Sequence, residues 1–185
     1  MPRLMLAGIA ACLAAVPAAA PCAQAHAAGA GPAVRTLVVS GDWIAKVRQA
    51  PTVDGRDVCI AFTAATNTGF GLRASADDFE IRYSQDNWVL PANVAGSLVI
   101  DVGRYHSVLT LTGNTSDTAI AAVSRSQLHG MIAAMEKASW MTVTAGIAPP
   151  QRVSLRGSNR ATDAFLSCVD GIGASGQDDW IDPLP

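Results

Sequence analysis

Outside the first 27 residues, two histidines, one acidic cluster and two cysteines are the residues of this sequence whose types and spacing could do chemistry. His106 stands beside Ser107, a base next to a nucleophile, as acyl transfer would need. Neighbours in a strand point to opposite faces, so the two cannot pair there. His129 follows Leu128 in a helical stretch, off its apolar stripe, and reads as solvated. Asp77, Asp78 and Glu80 could supply a pair of carboxylates for acid–base work. They flank the start of a strand and read as a solvated turn. The stretch "NTGFG" (67–71) lacks the glycine spacing and following helix of a phosphate loop, and reads as a hairpin turn. There is no CxxC and no histidine cluster, so no metal set is expected, and no cofactor motif is found. On these residues the chain is not expected to be an enzyme.

Cys59 and Cys168 are the cysteines that bear on the fold, because Cys12 and Cys22 lie within the first 27 residues. Those residues have a basic start at Arg3, an apolar run from Leu4 to Val16, and Ala-x-Ala motifs at 23–25 and 25–27. That is the order of a secretory signal peptide. Cleavage is expected after Ala27, with Ala25 as the alternative. The run is short of the roughly 20 residues that a membrane span needs, so no span is expected after cleavage. Pro21, just before Cys22, argues against lipidation. Export to the periplasm or beyond implies an oxidising compartment, where Cys59 and Cys168 would form a disulfide. Two buried free thiols are the alternative. Without Arg3 the basic residues number 12 against 15 acidic, a net charge of −3. No Lys/Arg run exists, which argues against nucleic acid as a partner. An unknown protein or envelope component is the expected partner.

The elements that would position these residues are mostly short strands. Residues 28–34 are small and Gly/Pro-bearing and read as a linker, 35–171 as one domain, and 172–185 as a disordered acidic tail. In "TLVVSGDWIAKVRQ" Trp43, Ala45 and Val47 share one face. "DVCIAFTA" (57–64) is nearly continuous in apolar residues, as in a strand buried on both faces. "GFGLRAS" and "FEIRYS" place Phe70, Leu72 and Ala74 on one face and Phe79, Ile81 and Tyr83 on another. "SLVIDVG" and "HSVLTLTG" could pair across a turn at Gly103–Tyr105. The period then changes. Ser124 and Gln127 form a capping-box signature, and Leu128, Met131, Ile132 and Met135 fall at helical spacing. Strands at 139–146 and 152–157 follow, then a helix from about Ser158 with Ala161, Ala164, Phe165, Cys168 and Val169 on one stripe. Gly171 reads as its C-cap. Together these predict a mainly β domain, an antiparallel β-sandwich or barrel-like fold, with two helices in the C-terminal half. Trp43, Trp88 and Trp140 all fall in predicted strands. Trp88 beside Pro91 is the one candidate binding rim.

Several stretches, in order, resemble the invasion-associated locus B (IalB-like) family of exported bacterial proteins. "GDWIAKV" is similar to that family's opening G-D-W strand, and Leu90-Pro91 with Ser97–Asp101 to its middle strand. "MIAAMEKASWMTVTAG" followed by "RVSLRGSNRATDAF" is similar to its helix, its Met-x-Val strand and its S-L-x-G turn into the last helix. The chain departs from the pattern in its cysteines. It has none near Val47, where the family has one, and no central pair. The resemblance implies a non-catalytic β-sandwich that acts by binding in the periplasm or cell envelope. A second expectation is an inhibitor of a secreted hydrolase, similar to lysozyme inhibitors, with "SQDNWVLPAN" (84–93) as its contact loop.

Overall fold

The computed structural model describes residues 33–50, 56–64, 68–76, 78–86, 88–90, 95–113 and 117–174. The expected signal peptide, Asp77, Pro91, the last residues of the tail and most of the linker lie outside them. The strands are β1 (Val34–Ser40), β2 (Trp43–Arg48), β3 (Val58–Thr63), β4 (Thr68–Ala74), β5 (Phe79–Gln85), β6 (Ala95–Val102), β7 (Tyr105–Gly113), β8 (Thr118–Ala122), β9 (Trp140–Ala145) and β10 (Gln151–Ser154). The helices are α1 (Arg125–Met135) and α2 (Ser158–Ala174). The fold is mainly antiparallel β with two helices, as the alternation of apolar residues predicts.

The strands form one sheet in the order β1-β2-β3-β4-β5-β8-β7-β6-β9-β10. The strands are thus continuous in one sheet, within the sandwich or barrel-like class that the pattern predicts. The continuous sheet folds over on itself, so that β10 packs against β4. Its inner face carries the residues that the period-2 pattern selected. Trp43, Ala45, Phe70, Leu72, Tyr83, Leu98 and Ile100 are fully buried. Trp43 meets Phe70 edge-on, with ring centroids 6.2 Å apart. α2 lies against β1, β2 and β3, and α1 against β6 and β7. The β6–β7 hairpin turns where expected, with Val102 opposite Tyr105 and Gly103 in the left-handed region.

α1 begins with the capping box read from Ser124 and Gln127. The Gln127 N–H donates to Ser124 Oγ at 3.2 Å, and the Ser124 N–H donates to Gln127 Oε1 at 2.9 Å. These bonds satisfy two amides that the first turn leaves unpaired. Leu128, Met131, Ile132 and Met135 are its buried face.

Four details differ from the sequence reading. β3 is not buried on both faces. Cys59 and Ala61 point inward, whereas Ile60 and Phe62 are half-buried on the outer face, with the Lys46 ammonium 5.3 Å from the Phe62 ring centre. Thr68–Gly71 belong to β4, in line with the strand read over "GFGLRAS" and not with the hairpin turn read at 67–71. β8 was not anticipated, because "TAIAA" has no strong alternation. Gly171 does not end α2. Ile172 extends the apolar stripe one turn beyond Cys168 and packs against the core, so the helix runs on to Ala174.

Candidate interaction surface

The residues singled out for chemistry are placed apart. His129 is exposed on α1. Glu80 is occupied by two arginines, Arg73 at 3.3 Å and Arg82 at 3.1 Å. Asp78 closes a tight turn, its carbonyl accepting from the Ser75 N–H at 3.0 Å. His106 does gain a carboxylate partner. The β6–β7 register puts it opposite Asp101, and His106 Nδ1 lies 2.7 Å from Asp101 Oδ1. The side chains are 61% and 49% exposed. Water screens such a pair, and its contribution to stability is at most about 1 kcal/mol.

The cysteines meet. Cys59 on β3 and Cys168 on α2 form a disulfide with Cα atoms 6.0 Å apart. Cys59 is fully buried and Cys168 half-buried. Val47, near which the resemblance leads one to expect a cysteine, sits opposite Cys59 in the β2–β3 ladder.

Trp88 lies outside the strands. It is half-buried and packs edge-on against Tyr83, with centroids 5.4 Å apart. Tyr83 is fully buried, and burial pushes its phenol above the usual tyrosine range, while a hydrogen bond from Gln85 pulls the other way. Trp88 therefore serves as a lid over Tyr83. Its neighbour Val89 is 85% exposed.

The two motifs that carry the resemblance, Gly41-Asp42-Trp43 and Ser154-Leu155-Arg156-Gly157, grip each other where the two ends of the sheet meet. The Asp42 N–H donates to the Arg156 carbonyl at 2.9 Å. The Trp43 indole N–H donates to the Ser154 carbonyl at 2.8 Å. Ser154 Oγ donates to Asp42 Oδ2 at 2.7 Å, and the Arg156 guanidinium donates to both carboxylate oxygens of Asp42. The backbones touch so closely that glycine is needed on both sides. A Cβ on Gly41 would lie 2.3 Å from the Arg156 oxygen, and one on Gly157 would lie 2.0 Å from the Ser40 oxygen.

The hydrogen bonds from Arg156, and after them the one from Ser154, hold the Asp42 carboxyl below the usual aspartate range. A depressed carboxylate contributes stability above the unfolded value of about 4, and that contribution is lost as pH falls through the folded value. The wild-type urea midpoint is thus expected to fall more between pH 5 and pH 2 than that of Asp42→Asn. Parallel pH profiles would show that the clasp carboxylate is energetically idle.

Beside this clasp the sheet presents Trp140, the most open tryptophan among the described residues, at 49% exposure on the outer face of β9. The β9–β10 register pairs Thr142 with Arg152 and Trp140 with Ser154. Arg152 is therefore the diagonal neighbour of Trp140, and its guanidinium stacks 4.7 Å from the ring centre. A cleft of about 590 Å³ opens there, between Asp42, Ser139, Trp140, Ser154 and Arg156. A second groove of about 570 Å³ runs between α1 and the β6–β7 turn and shares Ala138 with it. Sequence reasoning passed over this surface. Trp140 and Arg152 are brought together only by the hairpin register, and a tryptophan in a strand defaults to the core.

No family model matches the sequence, and no curated protein matches it. Among solved structures, the chain is similar to the invasion-associated protein B of Bartonella henselae. Identity is 12%, the match covers 74% of this chain and 99% of that one, and the TM-score is 0.48. This neighbour bears the name of the family that the motif order resembles. No helix among the described residues is long and apolar enough to cross a membrane.

Proposed function

We propose that this is an exported, non-catalytic binding protein of the bacterial periplasm or cell envelope, and that it engages its partner through the surface around Trp140. The observation that carries the reading is the exposed indole held under Arg152. Tryptophan and arginine dominate binding energetics at protein interfaces. A ring and a guanidinium already stacked lose less freedom on binding than free side chains would. The clasp behind them gives a rigid base. The alternative, inhibition of a secreted hydrolase through residues 84–93, has less to work with, because Trp88 and Leu90 pack against the core.

A photo-crosslinking residue at position 140, in the exported protein in its own cells, is expected to give a discrete adduct. Arg152→Glu should abolish the adduct, and the same probe at Thr36 on β1 should not form it. Once that partner is in hand, Trp140→Ala should weaken binding by about 30-fold or more, the level of a hot-spot residue. The fold should be little changed, because the ring is half in solvent. Equal labelling at positions 140 and 36, or none at 140, would remove the surface from consideration.

A further inference from the structure

We infer that the groove between α1 and the β6–β7 turn, which adjoins the Trp140 cleft at Ala138, receives an acidic, extended segment of the partner protein. This deepens the binding reading and rests on it. The argument begins with charge. The full chain carries 13 basic and 15 acidic residues, a net charge of −2, yet the two charged residues that line this groove are both cations. Arg104 on the turn and Lys137 beyond α1 face the groove from its two walls. Among the described residues, neither has a carboxylate partner within ion-pair distance. Arg152 adds a third cation, its face covered by Trp140 and its N–H edges available. Among the described residues, the only acid lining either cavity is Asp42, which Arg156 already neutralises.

Shape then narrows the class of partner. The α1 wall is made of Gly130, Ala133 and Ala134, so it is smooth and admits a slender chain with small side chains. An extended peptide fits that description, and its carboxylates could reach Arg104 on one wall and Lys137 on the other. A hydroxyl-rich sugar would find few polar partners along an alanine wall. A bilayer surface cannot enter a concave groove, and Trp140 is held under Arg152 rather than free to act as an interfacial anchor. Lys137 follows Glu136, the C-cap of α1, and Arg104 lies on the β6–β7 turn, so the two cations sit on different elements and are separable by mutation.

The test is titration of the mature protein with a fluorescein-labelled peptide of alternating Glu and Ala, monitored by anisotropy. In parallel, the protein is mixed with vesicles of phosphatidylcholine containing phosphatidylglycerol. Saturable peptide binding that weakens with added salt is expected. Arg104→Glu and Lys137→Glu should each lower the affinity by about tenfold or more, with circular dichroism unchanged. Arg48→Glu, an exposed cation elsewhere, should leave it as it is. The inference is overturned by an absence of saturable binding, by an equal loss in Arg48→Glu, or by vesicle binding without peptide binding. If crosslinking at position 140 succeeds while the peptide fails to bind, the binding reading stands and the acidic-segment inference falls. If crosslinking at position 140 fails while the peptide binds and responds to Arg104→Glu, the reverse holds.

Discussion

Replacing both bridge cysteines, Cys59→Ala with Cys168→Ala, is expected to lower the free energy of unfolding by about 2–5 kcal/mol. The two residues are 109 positions apart, so the bridge removes a large loop-closure entropy from the unfolded chain. The chain-entropy estimate for a loop of that order is about 4.7 kcal/mol. In the native state α2 covers β1, β2 and β3, and the bridge ties it to β3. Phe165, Ala161 and Val169 should still hold the helix in place at low denaturant, since all three are buried. Circular dichroism of the double variant should therefore remain native. Its urea midpoint should drop by roughly 2 M, taking a slope of about 2 kcal/mol/M. Thiol labelling of the unfolded, unreduced mature wild type should find no free cysteine. A midpoint within about 0.3 M of the wild type would mean that apolar packing alone seats α2.

The disulfide was legible in the sequence because several lines converged on it. Export implied oxidation, only two cysteines remained, and each lay in an apolar stretch. The core was legible for a similar reason. Phe70, Leu72 and Ala74, or Leu128, Met131 and Met135, announce their faces through periodicity that needs no knowledge of the partner. What depended on register or closure was not legible. A single sheet folded over on itself and a pair of separate sheets have the same alternating strands, so the pattern could not tell them apart. The outer face of β3 looked buried because Ile60 and Phe62 are apolar, yet the sheet leaves them half-open beneath Lys46. Gly171 looked like a stop, because glycine usually is one, but Ile172 had apolar surface to cover. The interaction surface was the least visible. Trp140 looks like core until β9 is placed in the sheet, and Arg152 joins it only through a hairpin whose register the sequence leaves open. Arg104 and Lys137, on different elements, are neighbours only in the folded chain.

Gly157→Ala is expected to destabilise the protein by about 2–5 kcal/mol, on a par with losing the disulfide. Two costs combine. The φ of 87° lies in a region that costs an L-residue about 1–2 kcal/mol. The new methyl carbon would also lie 2.0 Å from the Ser40 carbonyl oxygen and 2.8 Å from the Gly41 nitrogen. Both are backbone atoms that cannot rotate away, and relieving such a clash costs about 1–3 kcal/mol. Gly103→Ala separates the two. Gly103 has a φ of 59° with nothing within 4 Å of the added carbon, so it should show the conformational cost alone, about 1–2 kcal/mol. The excess of Gly157→Ala over Gly103→Ala then measures how tightly the sheet ends are closed. Moving the Ser40–Gly41 backbone would also disturb Asp42 and Trp43, which hold Arg156 and the Ser154 carbonyl. The Gly157→Ala variant should therefore lose the acid sensitivity assigned to Asp42 as well as stability. Equal losses in the two glycine variants, with the pH profile intact in both, would show that the clasp is a loose contact, and the conjunction of G-D-W with S-L-x-G would need another cause.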